Sequence, residues 1–197
     1  MLRKICGISF ITLIFVLFAS ALAFAAPLTN ADVKPILDRV IPNAAKVDRI
    51  WRYNPKFDKT SDAKPDDDGN RYIRVGKSFP YKSVKQIMAL TGSYYSKWAI
   101  KNSFTFQTDP AKFKDMNGAL YAWTPDSDGD PRAYKWIRKG AVIVRQSADT
   151  LVLKCRSQEQ SSGKIGTAYM FLAKEGGVWK LDQDIDVAYR SPDRLDR

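Results

Sequence analysis

Six short runs of β-branched and aromatic residues follow one another through the second half of the chain, parted by Gly, Asp and Ser. The runs are ALYAWT, AYKWIR, AVIVRQ, TLVLKCR, GTAYMFLAK and VWKLDQDIDV. Runs of this composition with short connections predict strands joined as successive hairpins. The paired glycines in KEGGVWKL permit the positive φ angles that a tight hairpin turn requires. We therefore expect a curved antiparallel β-meander of about six strands.

Apolar residues at helical spacing precede these runs. A cap at Thr29 or Asn30 is followed by an apolar stripe that lasts until Pro42, and Asn43 is placed to cap a second short helix. Ser83 begins a further amphipathic helix. Residues 54–69 are polar, contain prolines and show no period, which predicts an exposed loop. Helices followed by strands indicate the α+β class, with the N-terminal helices packed on the meander.

The first residues have the pattern of an export signal. Two cations precede an apolar run that ends in Ala23-Phe24-Ala25, which fits the small-x-small rule of signal peptidase. The run is short and lacks a basic stop-transfer flank, which argues against a membrane anchor. We expect residues 1–25 to be removed and residues 26–197 to form a single domain. The mature protein is expected to be secreted or periplasmic, without stable membrane insertion.

Positive charge dominates the composition. The chain has 32 Lys and Arg against 21 Asp and Glu, and two of the cations lie in the predicted signal, so the mature domain carries a net charge of +9. Long-range attraction of this kind speeds encounter with anionic partners without specifying them. We expect an anionic component of the cell envelope or an acidic protein as partner, and no nucleic acid.

The absence of histidine restricts the chemistry. No histidine occurs anywhere in the sequence, which excludes Ser-His-Asp and Cys-His catalysis and the usual His-ligated zinc sites. Cys155 is the one cysteine left after signal removal, so no intramolecular disulfide can form. It shares a strand face with Leu151 and Leu153, which predicts a buried core thiol. We therefore expect a non-catalytic protein with no cofactor and no bound metal.

Two acidic segments resemble each other: PDDDGNRY at residues 65–72 and PDSDGDPRAY at residues 125–134. In the second, Asp126, Asp128 and Asp130 offer oxygens at alternating positions, as a calcium loop does. However, Tyr134 stands where a further acid would complete the ligands, and the glycine arrives two residues early for an EF-hand. Solvated Asp-Gly turns are the simpler interpretation. With Arg132, these residues form a candidate recognition loop.

Paired carboxylates could serve acid/base chemistry of the glycosidase type. The acids in the two turns are expected to be solvated, so they lack the burial that raises one pKa. The acids Asp182, Asp184 and Asp186 alternate with Leu181, Gln183, Ile185 and Val187, which predicts the solvent-facing side of a terminal strand. Neither group is expected to be catalytic.

Basic and aromatic residues alternate in DRIWRYNPKFDK. Trp51, Arg52 and Tyr53 have the composition of a surface that stacks on a ligand while binding its charge, which makes them candidate recognition residues. The alternative is that Trp51 completes a helix stripe and the cations extend outward into solvent.

Several motifs resemble a known family. A helix that begins at Ser83 ends in SYYSKWAIKNSF; KFKDMNGALYAW, an acidic Gly-containing turn, AYKW and a closing GGVWKLD follow. This order, over about residues 70–187, resembles the secreted DL-endopeptidase inhibitor family (IseA/YoeB). The family's Tyr-Phe-Thr/Ser and acidic-Gly-x-Leu-Tyr segments correspond to Tyr94-Tyr95-Ser96 and to Asn117–Tyr121, with Asn117 in place of the usual acid. The resemblance implies a non-catalytic protein that binds NlpC/P60-type cell-wall peptidases and restrains autolysis, but it carries over no binding residue.

The same order of helices, curved sheet and closing strand is also similar to NTF2-like and cystatin-like domains, which enclose an apolar pocket. That resemblance implies an alternative function, the binding of a small molecule, with a histidine-free hydrolase as a third possibility. Fold analogy alone does not choose between them. The leading interpretation is a secreted binding protein of the cell envelope that inhibits or regulates a peptidoglycan hydrolase.

Overall fold

A computed structural model describes residues 26–57, 62–103, 105–124 and 133–193. In these ranges the protein has three α-helices and two four-stranded antiparallel sheets, which confirms the α+β class. The predicted export signal lies outside the described residues. None of the described helices combines the length and the apolar character needed to cross a membrane.

The first helix, α1 (Asn30–Arg52), is continuous over 23 residues, so the predicted break at Pro42 is wrong. Pro42 cannot donate a backbone hydrogen bond within the helix. Directly after it, Asn43 Nδ2 donates to the carbonyl of Arg39 at 2.7 Å, which adds a side-chain bond to this turn. The buried stripe continues past the proline to the end of the helix. Tertiary packing of that stripe joins the two predicted helices into one continuous helix.

The first sheet contains β1 (Ala63–Pro65), β2 (Arg71–Arg74), β3 (Phe113–Met116) and β4 (Ala119–Trp123), in the order β1-β2-β4-β3. The run ALYAWT is therefore β4 of this sheet and does not belong to one six-strand meander. The strand β1 lies inside the predicted loop 54–69, which corrects that prediction; its proline is tolerated because β1 is an edge strand. The β3–β4 turn uses Asn117 and Gly118, with φ of 52° and 73°, the left-handed pair that Asn-Gly favours in tight hairpins.

Two helices connect the strands of this sheet. Ser83 caps α2 (Val84–Tyr94) by accepting from Gln86 N at 3.3 Å, which confirms the predicted helix start. Ser96 caps the short α3 (Lys97–Asn102) by accepting from Ala99 N at 3.0 Å. Between the two helices the backbone is extended at Tyr95.

The second sheet contains β5 (Tyr134–Gln146), β6 (Thr150–Glu159), β7 (Ile165–Glu175) and β8 (Val178–Leu181), paired in sequence order. This part is the predicted meander, and the hairpin in KEGGVWKL is confirmed, with positive φ at both glycines. The runs AYKWIR and AVIVRQ are one strand, β5, instead of two. Gly140, with φ of 79°, lies where the β5–β6 register shifts, so the glycine introduces an irregularity in place of a turn.

One hydrophobic core extends from α1 and α2 to both sheets. Its most buried members come from every layer: Val33, Leu37, Val40, Ile87, Tyr95, Ala122, Leu151, Leu153, Met170, Leu172 and Leu181. Beyond β8 the chain leaves the strand direction, and it later pairs with β7 where Tyr169 N donates to Tyr189 O at 2.9 Å. The run VWKLDQDIDV is therefore a strand only as far as Leu181.

Candidate functional site

Arg52 lies in the last turn of α1 and its guanidinium points toward the segment that follows β8. Arg52 Nε donates to Asp48 Oδ1 at 2.8 Å. Arg52 Nη2 lies 3.0 Å from Asp186 Oδ2 and 3.5 Å from Asp184 Oδ1. The side chains of the three aspartates are 1%, 12% and 7% exposed for Asp48, Asp184 and Asp186, respectively. We call these four residues the Arg52 cluster.

Two hydroxyl groups extend the Arg52 cluster to the residues after α3. Asp184 Oδ2 accepts from Ser103 Oγ at 2.7 Å and from Thr105 Oγ1 at 2.6 Å. Burial acts to lower the pKa of Arg52, but its hydrogen bond with Asp48 and the charges of the three aspartates outweigh burial and raise that pKa above its ordinary value. Arg52 is therefore a permanent cation that joins three parts of the chain.

The carboxylates after β8 are buried, so the prediction that they form a solvated strand face is wrong. Asp182 is 2% exposed and accepts a hydrogen bond from Ser96 Oγ. The prediction failed because the strand ends at Leu181, and an alternating pattern beyond that point no longer assigns faces. Asp184 is held against a cation and two hydroxyls, an arrangement that serves structure rather than proton transfer.

The two aromatic neighbours of Arg52 in the candidate recognition set are differently placed. Trp51 is 7% exposed, and its Nε1 donates to Thr91 Oγ1 at 3.0 Å. Its ring makes edge contacts with Phe106 and Phe113, at centroid distances of 5.6 and 5.5 Å. Trp51 therefore belongs to the core and is not presented for stacking on a ligand. Arg52 is already bound by three aspartates, so its guanidinium is not free to bind an external ligand. Tyr53 is a half-buried helix cap.

Cys155 lies on β6 with its thiol in the core, which confirms the prediction of a buried core thiol. The residue is 4% exposed, and burial raises the pKa of its thiol to about 12. The thiol is therefore protonated near neutrality, whereas the thiolate is the nucleophilic form. Cys155 is a packing residue.

The first acidic segment forms a turn that Asp66 organises. Its Oδ1 accepts from Asp68 N at 3.1 Å and Asn70 N at 2.7 Å, and its Oδ2 lies 2.6 Å from Lys114 Nζ on β3. The hydrogen bond from Lys114 is the largest of the effects that lower the pKa of Asp66 to about 2. Asp67 and Asp68 are exposed, as predicted, but Asp66 is a structural anchor with a 5% exposed side chain. Within the described ranges, no group of three or more His, Cys, Asp or Glu residues is arranged to hold a metal ion.

The outer face of the first sheet carries alternating aromatic and basic residues. Ile73, Phe113 and Ala122 alternate with them along the strands and point inward to the packed side. In the register, Lys64, Tyr72 and Trp123 lie opposite one another in one row, and Arg74, Tyr121 and Lys114 in the next. We call this surface the Tyr72 face; its members are Lys64, Tyr72, Arg74, Lys114, Tyr121 and Trp123.

Cations cover the tyrosine rings of the Tyr72 face. Lys114 Nζ lies 5.0 Å from the centroid of the Tyr72 ring, and Lys64 Nζ lies 5.6 Å from that of Tyr121. Tyr72 OH donates to Ala111 O at 2.6 Å, and burial is the main cause that raises the pKa of this phenol. Tyr72 is 0% exposed and Tyr121 is 4% exposed, so both rings are buried beneath the lysines. Arg74 is exposed and Trp123 is half-exposed at the ends of the two rows.

Topology brings the turn at 66–70 and the end of β4 to one end of the first sheet. The turn at 66–70 leads into β2, whereas β4 leads out toward residues 125–132. Because these strands are antiparallel and Tyr72 pairs with Trp123, the turn and the end of β4 are neighbours. The candidate residues Asp126, Asp128, Asp130 and Arg132 themselves lie outside the described residues.

The chain was compared with protein-family models and with curated proteins, and neither comparison finds a match.

Proposed function

We propose that this is a non-catalytic binding protein of the cell envelope that restrains a peptidoglycan hydrolase of the NlpC/P60 type. The observation that carries the proposal is the Arg52 cluster, in which buried carboxylates that could have been acid/base groups are bound to a cation. A hydrolytic acid pair needs carboxyl groups that face a substrate cleft with separated pKa values. The carboxylates of the Arg52 cluster are instead bound to Arg52, and Cys155 offers no thiolate.

The Tyr72 face is the binding surface that we assign to this function. Protein interfaces are enriched in Tyr, Trp and Arg, and the residues that dominate binding energy combine aromatic area with charge. On the Tyr72 face, Arg74 and Trp123 present these residue types to a partner, and the strands fix their positions. The rings of Tyr72 and Tyr121 are buried and support the lysines above them. The predicted recognition residues Asp126 and Arg132 follow β4 directly in sequence, so we include them in the same proposal.

The resemblance to the secreted DL-endopeptidase inhibitor family supports a peptidase as the partner. The Asn117-Gly118 hairpin and the helix end at Tyr94 are the segments that carry this resemblance, and both occur as regular elements. The excess of positive charge favours rapid association with an acidic partner. Export of the chain remains part of the proposal, since a cell-wall peptidase works outside the cytoplasmic membrane.

Release of muropeptides from purified peptidoglycan tests the proposal. Increasing amounts of the protein should suppress release by an NlpC/P60-type peptidase, with full effect near one equivalent. Charge reversal of an exposed member of the Tyr72 face, Arg74→Glu, should weaken inhibition by at least about tenfold. The control Lys46→Glu, an exposed cation on α1, should inhibit like the unmodified protein. Peptidases that remain fully active at large excess of the protein would refute the proposal.

The alternative of a small-molecule pocket requires a deep apolar cavity between helices and sheet. The interface between α1 and the second sheet is instead filled by side chains such as Leu37, Leu153 and Met170, each 0% exposed. Two clefts between α1 and β5, of about 340 and 480 Å³, include exposed charged residues such as Arg138 among their lining. The peptidase proposal is therefore the better supported of the two.

A further inference from the structure

The outer face of the second sheet is a second surface with its own character. Along β6, Leu153 and Cys155 point into the core, so Lys154 and Arg156 point outward. Their cross-strand partners on β7 are Tyr169 and Thr167. We call this surface the Lys154 face and define it by Lys135, Val142, Lys154, Arg156, Ile165 and Tyr169.

Three exposed cations lie on the Lys154 face. Lys135 is on β5 and the other two are on β6, with Lys135 paired to Gln158 and Val142 paired to Lys154. The described part of the chain provides no ion-pair partner for any of the three cations. An acid at the rim, Asp193, is bound to Arg145 at 2.6 Å. The face therefore has an uncompensated positive charge directed at solvent.

Apolar side chains are exposed among these cations. Val142 is 38% exposed and Ile165 is 51% exposed, on the two strands that flank β6. The β6–β7 pairing holds one register over nine residue pairs. Val152 and Phe171 on the same face are buried, so the exposed surface runs from Lys154 to Gln158 along β6, a length of about 14 Å. A soluble polyanion would contact only the cationic side chains of this face. A surface that combines cations with exposed apolar groups matches the boundary between lipid headgroups and acyl chains.

We propose that the Lys154 face binds peripherally to a bilayer that contains anionic lipid. Lys135, Lys154 and Arg156 contact the phosphate groups, while Val142 and Ile165 enter the headgroup region. The regular β6–β7 ladder lets these side chains reach the bilayer plane together. This binding is separate from the peptidase proposal, because it uses the opposite sheet and needs no protein partner. Either proposal can fail while the other stands.

Sedimentation with vesicles tests this inference on the mature protein. The vesicles are pure phosphatidylcholine or phosphatidylcholine with about one-third phosphatidylglycerol. We expect binding to the anionic vesicles only, and its loss at about 0.5 M salt. Each cation near an anionic surface contributes enough that Lys154→Gln/Arg156→Gln should weaken partitioning by about 30-fold.

Two further variants separate the lipid surface from other anions. Lys46→Gln/Lys85→Gln removes the same charge from exposed helix positions and should bind vesicles within about twofold of the unmodified protein. Val142→Thr/Ile165→Thr keeps the β-branched shape and should weaken vesicle binding by at least about threefold. Circular dichroism confirms that each variant is folded.

Three results would overturn the inference. The first is no binding to anionic vesicles at low salt. The second is an equal loss in the helix and sheet double variants, which would mean that net charge alone drives binding. The third is tight binding to soluble polyphosphate combined with full vesicle binding by Val142→Thr/Ile165→Thr, which would identify a polyanion surface instead.

Discussion

Replacing Arg52 with glutamine removes the guanidinium that Asp48, Asp184 and Asp186 share. Glutamine keeps helix propensity and most of the side-chain length, so the change is mainly one of charge. Three carboxylates, each at most 12% exposed, would then remain near one another without that cation. Buried carboxylates in this situation must protonate, draw in water or move, and each response costs free energy.

The magnitude follows from the burial of the partners. Removing one side of a buried ion pair typically costs about 3–5 kcal/mol, because the other charge stays buried. For a domain of this size each kcal/mol shifts the melting temperature by about 2–4 °C, so Arg52→Gln should lower it by about 6–20 °C. Protonation neutralises the carboxylates, so the penalty should be largest at neutral pH and shrink as pH falls toward about pH 4.

Urea unfolding and thermal scans of both proteins measure this difference. The control is Arg49→Gln, which removes an exposed cation from the same helix turn and should cost less than about 0.5 kcal/mol. A second replacement, Asp186→Asn, should cost less in the Arg52→Gln background than alone, because the two residues are coupled. A penalty below about 1 kcal/mol, or one that does not change with pH, would show that Arg52 does not hold the carboxylates as described.

Three further predictions concern other parts of the fold. The pKa of Asp66 lies at about 2, below its unfolded value, so the stability that Asp66 contributes is present above about pH 4 and is lost as pH falls toward 2. Asp66→Asn should therefore reduce the pH dependence of the melting temperature between about pH 5 and pH 2. Gly92→Ala, inside α2 with open space around the new Cβ, should stabilise by up to about 1 kcal/mol, whereas Gly118→Ala, at φ of 73°, should destabilise by about 1 kcal/mol in urea unfolding. Cys155 should resist a thiol reagent in the native protein and react once the protein unfolds, as mass spectrometry would record; rapid native labelling would contradict its burial.

Local patterns predicted the elements whose partners are close in sequence. The hairpin in KEGGVWKL, the cap at Ser83 and the core position of Cys155 were all predicted correctly, because turn chemistry, capping and period-two burial are local effects. The predicted break at Pro42 is wrong because packing of the buried stripe on both sides of the proline holds the helix together. The assignment of β4 also failed, because its pairing with β2 is non-local and leaves no periodic signal.

The Arg52 cluster was missed for a related reason. Asp48 and Arg52 are four residues apart on a helix, which is a recognisable ion-pair spacing. Their partners Asp184 and Asp186 are more than one hundred residues away in sequence, in a segment that reads as an alternating strand. Only the end of β8 at Leu181 turns those carboxylates inward, and no residue pattern marks that end clearly.

Calorimetric titration into a purified NlpC/P60-type peptidase tests whether this protein acts by holding a partner. We expect saturable binding near one-to-one stoichiometry, weakened by Arg74→Glu and unchanged by Lys46→Glu. A flat titration, together with release of peptidoglycan fragments by the protein alone, would contradict it and make the protein an enzyme.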